Sequence, residues 1–157
     1  MSKDVPAGRK VVASNRRARH DYTILDTIEA GVVLTGSEVK SLRSGQANLK
    51  DGYAEMDRGG ELWLENVHIA PYAFSRSGGH DPERRRKLLL HRREIGRLTA
   101  RVNEQGVTLI PLQIYFVHGL AKVELGIAKG KRTYDKREAI KKRMQEREMD
   151  RAARRRR

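Results

Sequence analysis

The chain has 157 residues, 34 Lys or Arg against 20 Asp or Glu, a net charge of +14 and no cysteine. That length bounds it to one domain with terminal extensions, and the missing cysteine excludes disulfides, thiolate catalysis and cysteine-ligated zinc. The charge sits at the ends: residues 1–20 carry +5, residues 129–157 carry +9 and residues 21–128 are neutral, which is the electrostatic footprint of a phosphate-backbone binder.

The first residues mix Pro, Gly, Ser and Lys without a period, so residues 1–19 are expected to be a flexible basic arm. "DYTILDTIEAGVVLTG" is rich in β-branched residues and predicts two paired strands about a turn at Glu29-Ala30-Gly31. Thr35-Gly36-Ser37-Glu38 has the form of a capping box and opens a short helix that stops at Gly45, with Val39 and Leu42 on its core side. "DGYAEMDRGGELWLENVHI" predicts a hairpin turning at Arg58-Gly59-Gly60, with Trp63, Val67 and Ile69 on one face and Leu62 and Leu64 on the other. A Gly/Ser/Pro loop follows. In "ERRRKLLLHRRE" basic residues surround Leu88-Leu89-Leu90. Three successive leucines of an extended segment cannot share one face, so at least one points outward, where it can pack on a base or sugar. Ile95, Leu98 and Val102 recur at helical spacing, and Gly106 closes that helix. "VTLIPLQIYFV", His118-Gly119 and "LAKVELGIA" predict a last hairpin, with Val123, Leu125 and Ile127 on one side and Lys122, Glu124 and Gly126 on the other. Six or seven short strands interrupted by two helices fit a small antiparallel barrel of the oligonucleotide-binding type; an open α+β sandwich is the alternative.

Few motifs carry chemistry. "GIAKGKRT" fails as a P-loop, because only three residues separate Gly126 from Gly130 and Arg132 stands where Ser or Thr would hold magnesium. His20, His68, His80, His91 and His118 are never three or four apart and join no carboxylate-rich metal signature. His20-Asp21 is an adjacent pair, a weak signal for acid–base chemistry. The expectation is no enzyme, no metal and no cofactor. "SNRRARHDY" is different. Three arginines, a histidine, an asparagine and a tyrosine fall within nine residues, where guanidinium forks suit phosphates and base edges, and rings suit unpaired bases.

"NRRARHDY", "EAGVVLTGSEVKSLRSGQANLKDGYA", "RKLLLHRREI" and "AKGKRTYDKRE" together resemble the small protein B family, the tmRNA-binding (SsrA-binding) proteins of bacterial trans-translation. The resemblance runs from about Ala13 to Arg137 with its blocks in order. It implies an oligonucleotide-binding-type β-barrel with flanking helices, spanning residues 20–128. It implies an adaptor that binds the tRNA-like domain of tmRNA and brings the alanyl-charged RNA, with elongation factor Tu and GTP, to a stalled ribosome. The nascent chain is then tagged for degradation. A general ribosomal or RNA-chaperone protein without a rescue role is the alternative. By position, the resemblance implies RNA contacts from Asn15, Arg16, Arg17, Arg19, His20, Tyr22, Glu29, Leu89 and His91; the family often has asparagine at position 91. For Glu29, accepting from a base amino group and pairing with a neighbouring Arg or Lys stay open as alternatives. In the tail, residues 129–157, the resemblance implies that Gly130, Lys131, Arg132, Tyr134, Asp135, Lys136 and Arg137 engage the small-subunit decoding site and mRNA channel of the 70S ribosome. Tyr134 replaces a histidine usual in the family.

Read physically, Asp135 and Glu138 have capping-box spacing, and Glu138–Lys142 and Asp150–Arg154 are favourable helical pairs. The few apolar residues form no continuous stripe, so the tail is expected to be disordered when free and helical when bound to RNA. No basic segment has the broad apolar face of a membrane-surface helix, no stretch reaches the ~20 apolar residues of a span, and the first twenty residues lack a signal peptide's apolar core. A cytoplasmic protein without a membrane partner is the expectation.

Overall fold

A computed structural model describes residues 8–72, 80–104 and 106–155, without the side chains of 132–142 and 155. Along the chain come β1 (Arg9–Ser14), α1 (Ala18–Asp21), β2 (Tyr22–Val32), α2 (Gly36–Arg43), β3 (Ala47–Asn48), β4 (Tyr53–Met56), β5 (Leu62–Glu65) and β6 (His68–Ile69). After the loop follow β7 (Arg86–Leu89), α3 (Arg92–Val102), β8 (Val107–Val117), β9 (Leu120–Gly130) and α4 (Lys131–Arg155). Seven strands pair antiparallel in the order β1-β8-β4-β5-β7-β2-β9, and β9 pairs back onto β8. Six of them therefore close into a barrel, with β1 added along the second half of β8. The open sandwich is excluded. β3 and β6 make a separate two-stranded ribbon.

Leu62, Leu64, Leu88, Leu109, Ile114, Phe116, Val123, Leu125 and Ile127 fill the barrel, with Leu98 of α3 closing one end and Leu42 of α2 packed on the same core. A register shift between Pro111 and Gln113 leaves Leu112 as a bulge. Leu112 turns out of the barrel and joins Ile110 and Ala128 on its outer surface, where Ala18 of α1 covers them. The bulge thus creates the seat for α1 and fixes where the chain enters β2.

Several sequence expectations stand. Thr35 and Glu38 form the capping box of α2. The β8–β9 turn places His118 at φ 48° and Gly119 at φ 78°, the two positive angles of a tight hairpin turn. Leu88 is buried, whereas Leu89 is 52 % exposed.

Others need correction. Residues 9–14 are not a flexible arm but strand β1, hydrogen-bonded to β8. Glu29-Ala30-Gly31 is not a turn: β2 runs through it because β9 is long enough to pair from Tyr22↔Gly130 to Gly31↔Lys122, and a turn would break that ladder. Trp63 does not share a face with Val67 and Ile69. Asn66 has φ 56°; this left-handed residue ends β5 and reverses the alternation, so Val67 and Ile69 join Leu62 and Leu64 inside. Helix α4 starts at Lys131, directly from β9, so Asp135 lies inside the helix rather than at its cap. Residues 143–154 are exposed along α4, and no Asp150–Arg154 ion pair forms among the described residues. The helical form anticipated for the bound tail is the one seen, and its described residues 143–154 bury no face.

Candidate nucleic-acid interface

The charge run "ERRRK" spends its cations inside the protein. Arg84 reaches Glu38 at 2.6 Å, Arg85 reaches Glu65 at 3.1 Å with its guanidinium 4.1 Å above the Trp63 ring, and Lys87 reaches Glu61 at 3.1 Å. Arg86 is fully buried against Glu38 and donates to the carbonyls of Val67 at 2.6 Å and Pro82 at 3.0 Å. Burial opposes ionisation of Glu38, but bonds from Arg84, the Thr35 N–H and Arg86 outweigh it and hold the carboxyl at about 2.

The "NRRARH" cations are free by contrast. Arg16, Arg17, Arg19 and His20 are exposed, and none of the three arginine side chains has a partner among the described residues. Asn15 is half-buried beside them. Its amide donates to Pro111 O at 3.0 Å and Leu49 O at 3.3 Å, and its backbone N–H donates to Leu112 O at 2.7 Å. Asn15 is a clamp that fixes the loop presenting the arginines. Tyr22 is half-buried and packs on the α1 seat. His20 Nδ1 lies 3.1 Å from Asp21 Oδ1, on a side chain 88 % exposed.

This loop adjoins the root of the tail. Tyr22 pairs with Gly130, and Lys131 Nζ donates to Arg19 O at 2.8 Å. From there α4 extends for 25 residues, about 37 Å at helical rise. The side chains of Arg132, Tyr134, Asp135, Lys136 and Arg137 lie outside the described residues.

Glu29, Leu89 and His91 belong to a second locus, Glu29 about 23 Å and Leu89 about 30 Å along β2 from Tyr22. Strand register lays one row across the outer face: Leu89, Gly31, Lys122, Tyr115, Val11. The next row is Glu29, Glu124, Gln113, Ser14. His91 follows as the N-cap of α3, its backbone N–H donating to Glu94 at 3.2 Å. Glu29 and Glu124 face each other, an unfavourable like-charge pair. Arg9 lies between them, 3.9 Å from Glu29 and 3.8 Å from Glu124, with its guanidinium 3.4 Å above the Tyr115 ring. The Tyr115 hydroxyl donates to Glu29 Oε2. Burial, and then this bond to a carboxylate, push the Tyr115 phenol well above its ordinary range. Glu29 is thus paired to Arg9, with its side chain 51 % exposed. Arg9, Tyr115 and Lys122 were not singled out as site residues. Alternation placed Lys122 outward, but the bulge that turns Tyr115 outward has no signature in the sequence.

A neutral closed barrel that keeps its internal cations paired and offers an unpaired arginine loop beside a long basic helix is a nucleic-acid-binding protein. Comparison with known proteins narrows this. The family model described as SmpB protein matches residues 12–155. The chain is 61 % identical over 145 residues to an SsrA-binding protein of Leifsonia xyli subsp. xyli, covering 92 % of this chain and 91 % of the relative. It is 60 % identical over 149 residues to that of Salinispora arenicola, covering 95 % and 93 %. A solved structure described as "tmRNA-SmpB: a journey to the center of the bacterial ribosome" superposes with a TM-score of 0.64 at 54 % identity, covering 75 % of this chain and 82 % of the other. The chain belongs to the SmpB family.

Proposed function

We propose that this protein is an RNA-binding adaptor that binds tmRNA and delivers it to stalled ribosomes for trans-translation. The observation that carries the reading is the free arginine loop of residues 16–19, locked by Lys131 to the root of a basic helix, in a chain about 60 % identical to SsrA-binding proteins. The barrel and its loop hold the tRNA-like domain. The α4 helix, whose exposed sides carry mostly charge, enters the decoding site and mRNA channel of the small subunit. Phosphate contacts along that channel offset the ordering cost of a helix whose residues 143–154 stay exposed in the free protein. Elongation factor Tu and GTP accompany the alanyl-charged RNA, and the setting is the cytoplasm. The His20-Asp21 pair lies on an open surface and serves RNA binding rather than catalysis. A general RNA chaperone without a rescue role is the weaker reading, given the family.

Truncation after Lys131 tests the division of labour, because it leaves β9 and its bond to Arg19 intact. Retained affinity for the tRNA-like domain with failed tagging on stalled ribosomes is the expected result. Loss of tmRNA binding with no separate ribosomal defect would sink it.

A further inference from the structure

We propose that Arg9 and Tyr115 are positioning residues that hold one oxygen of Glu29, so that its other oxygen reads a hydrogen-bond donor on an unpaired nucleobase resting against Leu89. The proposal rests on the tmRNA reading above and on the RNA contact expected of Glu29, and adds which residues aim that carboxylate.

The argument starts from the two carboxylate oxygens. Oε2 accepts from the Tyr115 hydroxyl and lies 3.9 Å from Arg9. No described residue bonds Oε1, on a side chain half open to solvent. Tyr115 is fully buried, so its hydroxyl cannot swing away, and the guanidinium above its ring restrains Arg9 in turn. A glutamate that would otherwise sample many rotamers is thus fixed at one end, which lowers the entropy lost when its free end forms a bond. A free carboxylate oxygen accepts only. It repels phosphate and selects N–H or O–H donors, such as a base amino group. Leu89 supplies an exposed apolar surface one strand away, opposite Gly31, whose missing side chain leaves the row low between Leu89 and Lys122. A flat base laid on Leu89 presents its edge toward Glu29, with Lys122 placed for the attached phosphate. Arg9 offsets the second carboxylate, Glu124; without it the facing glutamates would repel RNA. Arg9 lies outside the span matched by the family model, which begins at residue 12.

The test is a double-mutant cycle on the full chain, with Tyr115→Phe, Glu29→Gln and the pair. It is read as affinity for a transcript of the tRNA-like domain by fluorescence anisotropy at several salt concentrations, beside thermal midpoints. Glu29→Gln is expected to weaken binding about tenfold, the loss of a bond to a charged group, without changing the salt slope, because no phosphate contact is removed. Tyr115→Phe is expected to weaken binding about three- to tenfold in the native background and not at all beside Glu29→Gln. Arg9→Met, which removes the charge but keeps bulk over the ring, should behave likewise and covers a failure of the first variant to fold. An equal effect of Tyr115→Phe in both backgrounds, or none in either, overturns the positioning role while leaving Glu29 as a contact. Unchanged binding by Glu29→Gln removes Glu29 from the interface, and the proposal with it, while leaving the arginine loop and the tmRNA reading standing.

Discussion

Replacing Glu38 by Gln should cost more stability than any surface change in this protein, and the loss should depend on pH. Glu38 and Arg86 are both fully buried. One Glu38 oxygen accepts from the Thr35 N–H at 2.8 Å and from Arg84 at 2.6 Å, and the other accepts from Arg86. A glutamine presents one oxygen to these donors and turns an N–H toward a guanidinium, leaving Arg86 charged and uncompensated in the core. Breaking a buried pair in this way costs about 3–5 kcal/mol, or roughly 6–20 °C in thermal midpoint for a chain of this size. The sign with pH follows from the depressed carboxyl. Glu38 sits at about 2 when folded, against an ordinary 4.5. Its contribution is complete above 4.5 and is lost as the pH falls through 2. That shift corresponds to about 3 kcal/mol, of which about 2 should have gone by pH 3. Urea unfolding followed by the single tryptophan, Trp63, at pH 7, 5 and 3 measures it. The gap between wild type and variant should be widest at pH 7 and 5 and narrow clearly at pH 3. A gap that stays constant across that range would show that the loss is packing rather than charge and would refute the reasoning.

Other consequences follow from close contacts and free charges. A Cβ on Gly52 would lie 2.7 Å from Val67 Cγ2 and 2.8 Å from Pro111 Cγ, so Gly52→Ala should cost about 1–3 kcal/mol by overpacking, seen as a lower urea midpoint with an unchanged m-value. Asn15→Ala leaves the carbonyls of Leu49 and Pro111 without their side-chain donor and should cost about 1–3 kcal/mol; amide exchange should quicken at residues 15–18, and tmRNA affinity should fall although no cation is removed. Changing Arg16, Arg17 and Arg19 together to Gln should leave the thermal midpoint within about 0.5 kcal/mol of wild type. The same triple change should flatten the salt dependence of tmRNA binding by about 2–3 on a log–log plot, and an unaltered slope would remove the loop from the phosphate interface.

The elements whose own residues decide them were legible: the α2 cap, the 95–102 helix, the final hairpin and the outward Leu89. The errors share one cause, which is that a distant strand overrides a local signal. Glu29-Ala30-Gly31 looks like a turn until an eleven-residue partner strand pairs through it. Residues 9–14 look like a loose arm until the second half of β8 offers an edge. The site divides in the same way. The arginine loop was legible because cations without nearby carboxylates stand out in composition. "ERRRK" looked equally basic, yet its partners Glu38, Glu61 and Glu65 lie twenty or more residues away, so its neutralisation appears only in three dimensions.

That neutralisation bears on how the interface works. With Arg84, Arg85, Arg86 and Lys87 spent on Glu38, Glu61 and Glu65, the 16–19 loop offers unpaired arginines where it meets α4 at Lys131. Under the proposed function, phosphates would be drawn to the loop end of β2 without regard to sequence, while Glu29 and Leu89 lie about 23 and 30 Å along the strand, where a carboxylate and an exposed leucine are poor phosphate ligands. On that proposal, affinity and discrimination would be carried by different ends of one strand. A bulk RNA that satisfies only the basic end should dissociate readily as salt rises, whereas an RNA that also reaches Leu89 keeps contacts that salt does not screen. Pairing of β2 with β9 from Tyr22 to Gly31 fixes the distance between the two ends, so on the proposed function the protein would select RNAs folded to span it.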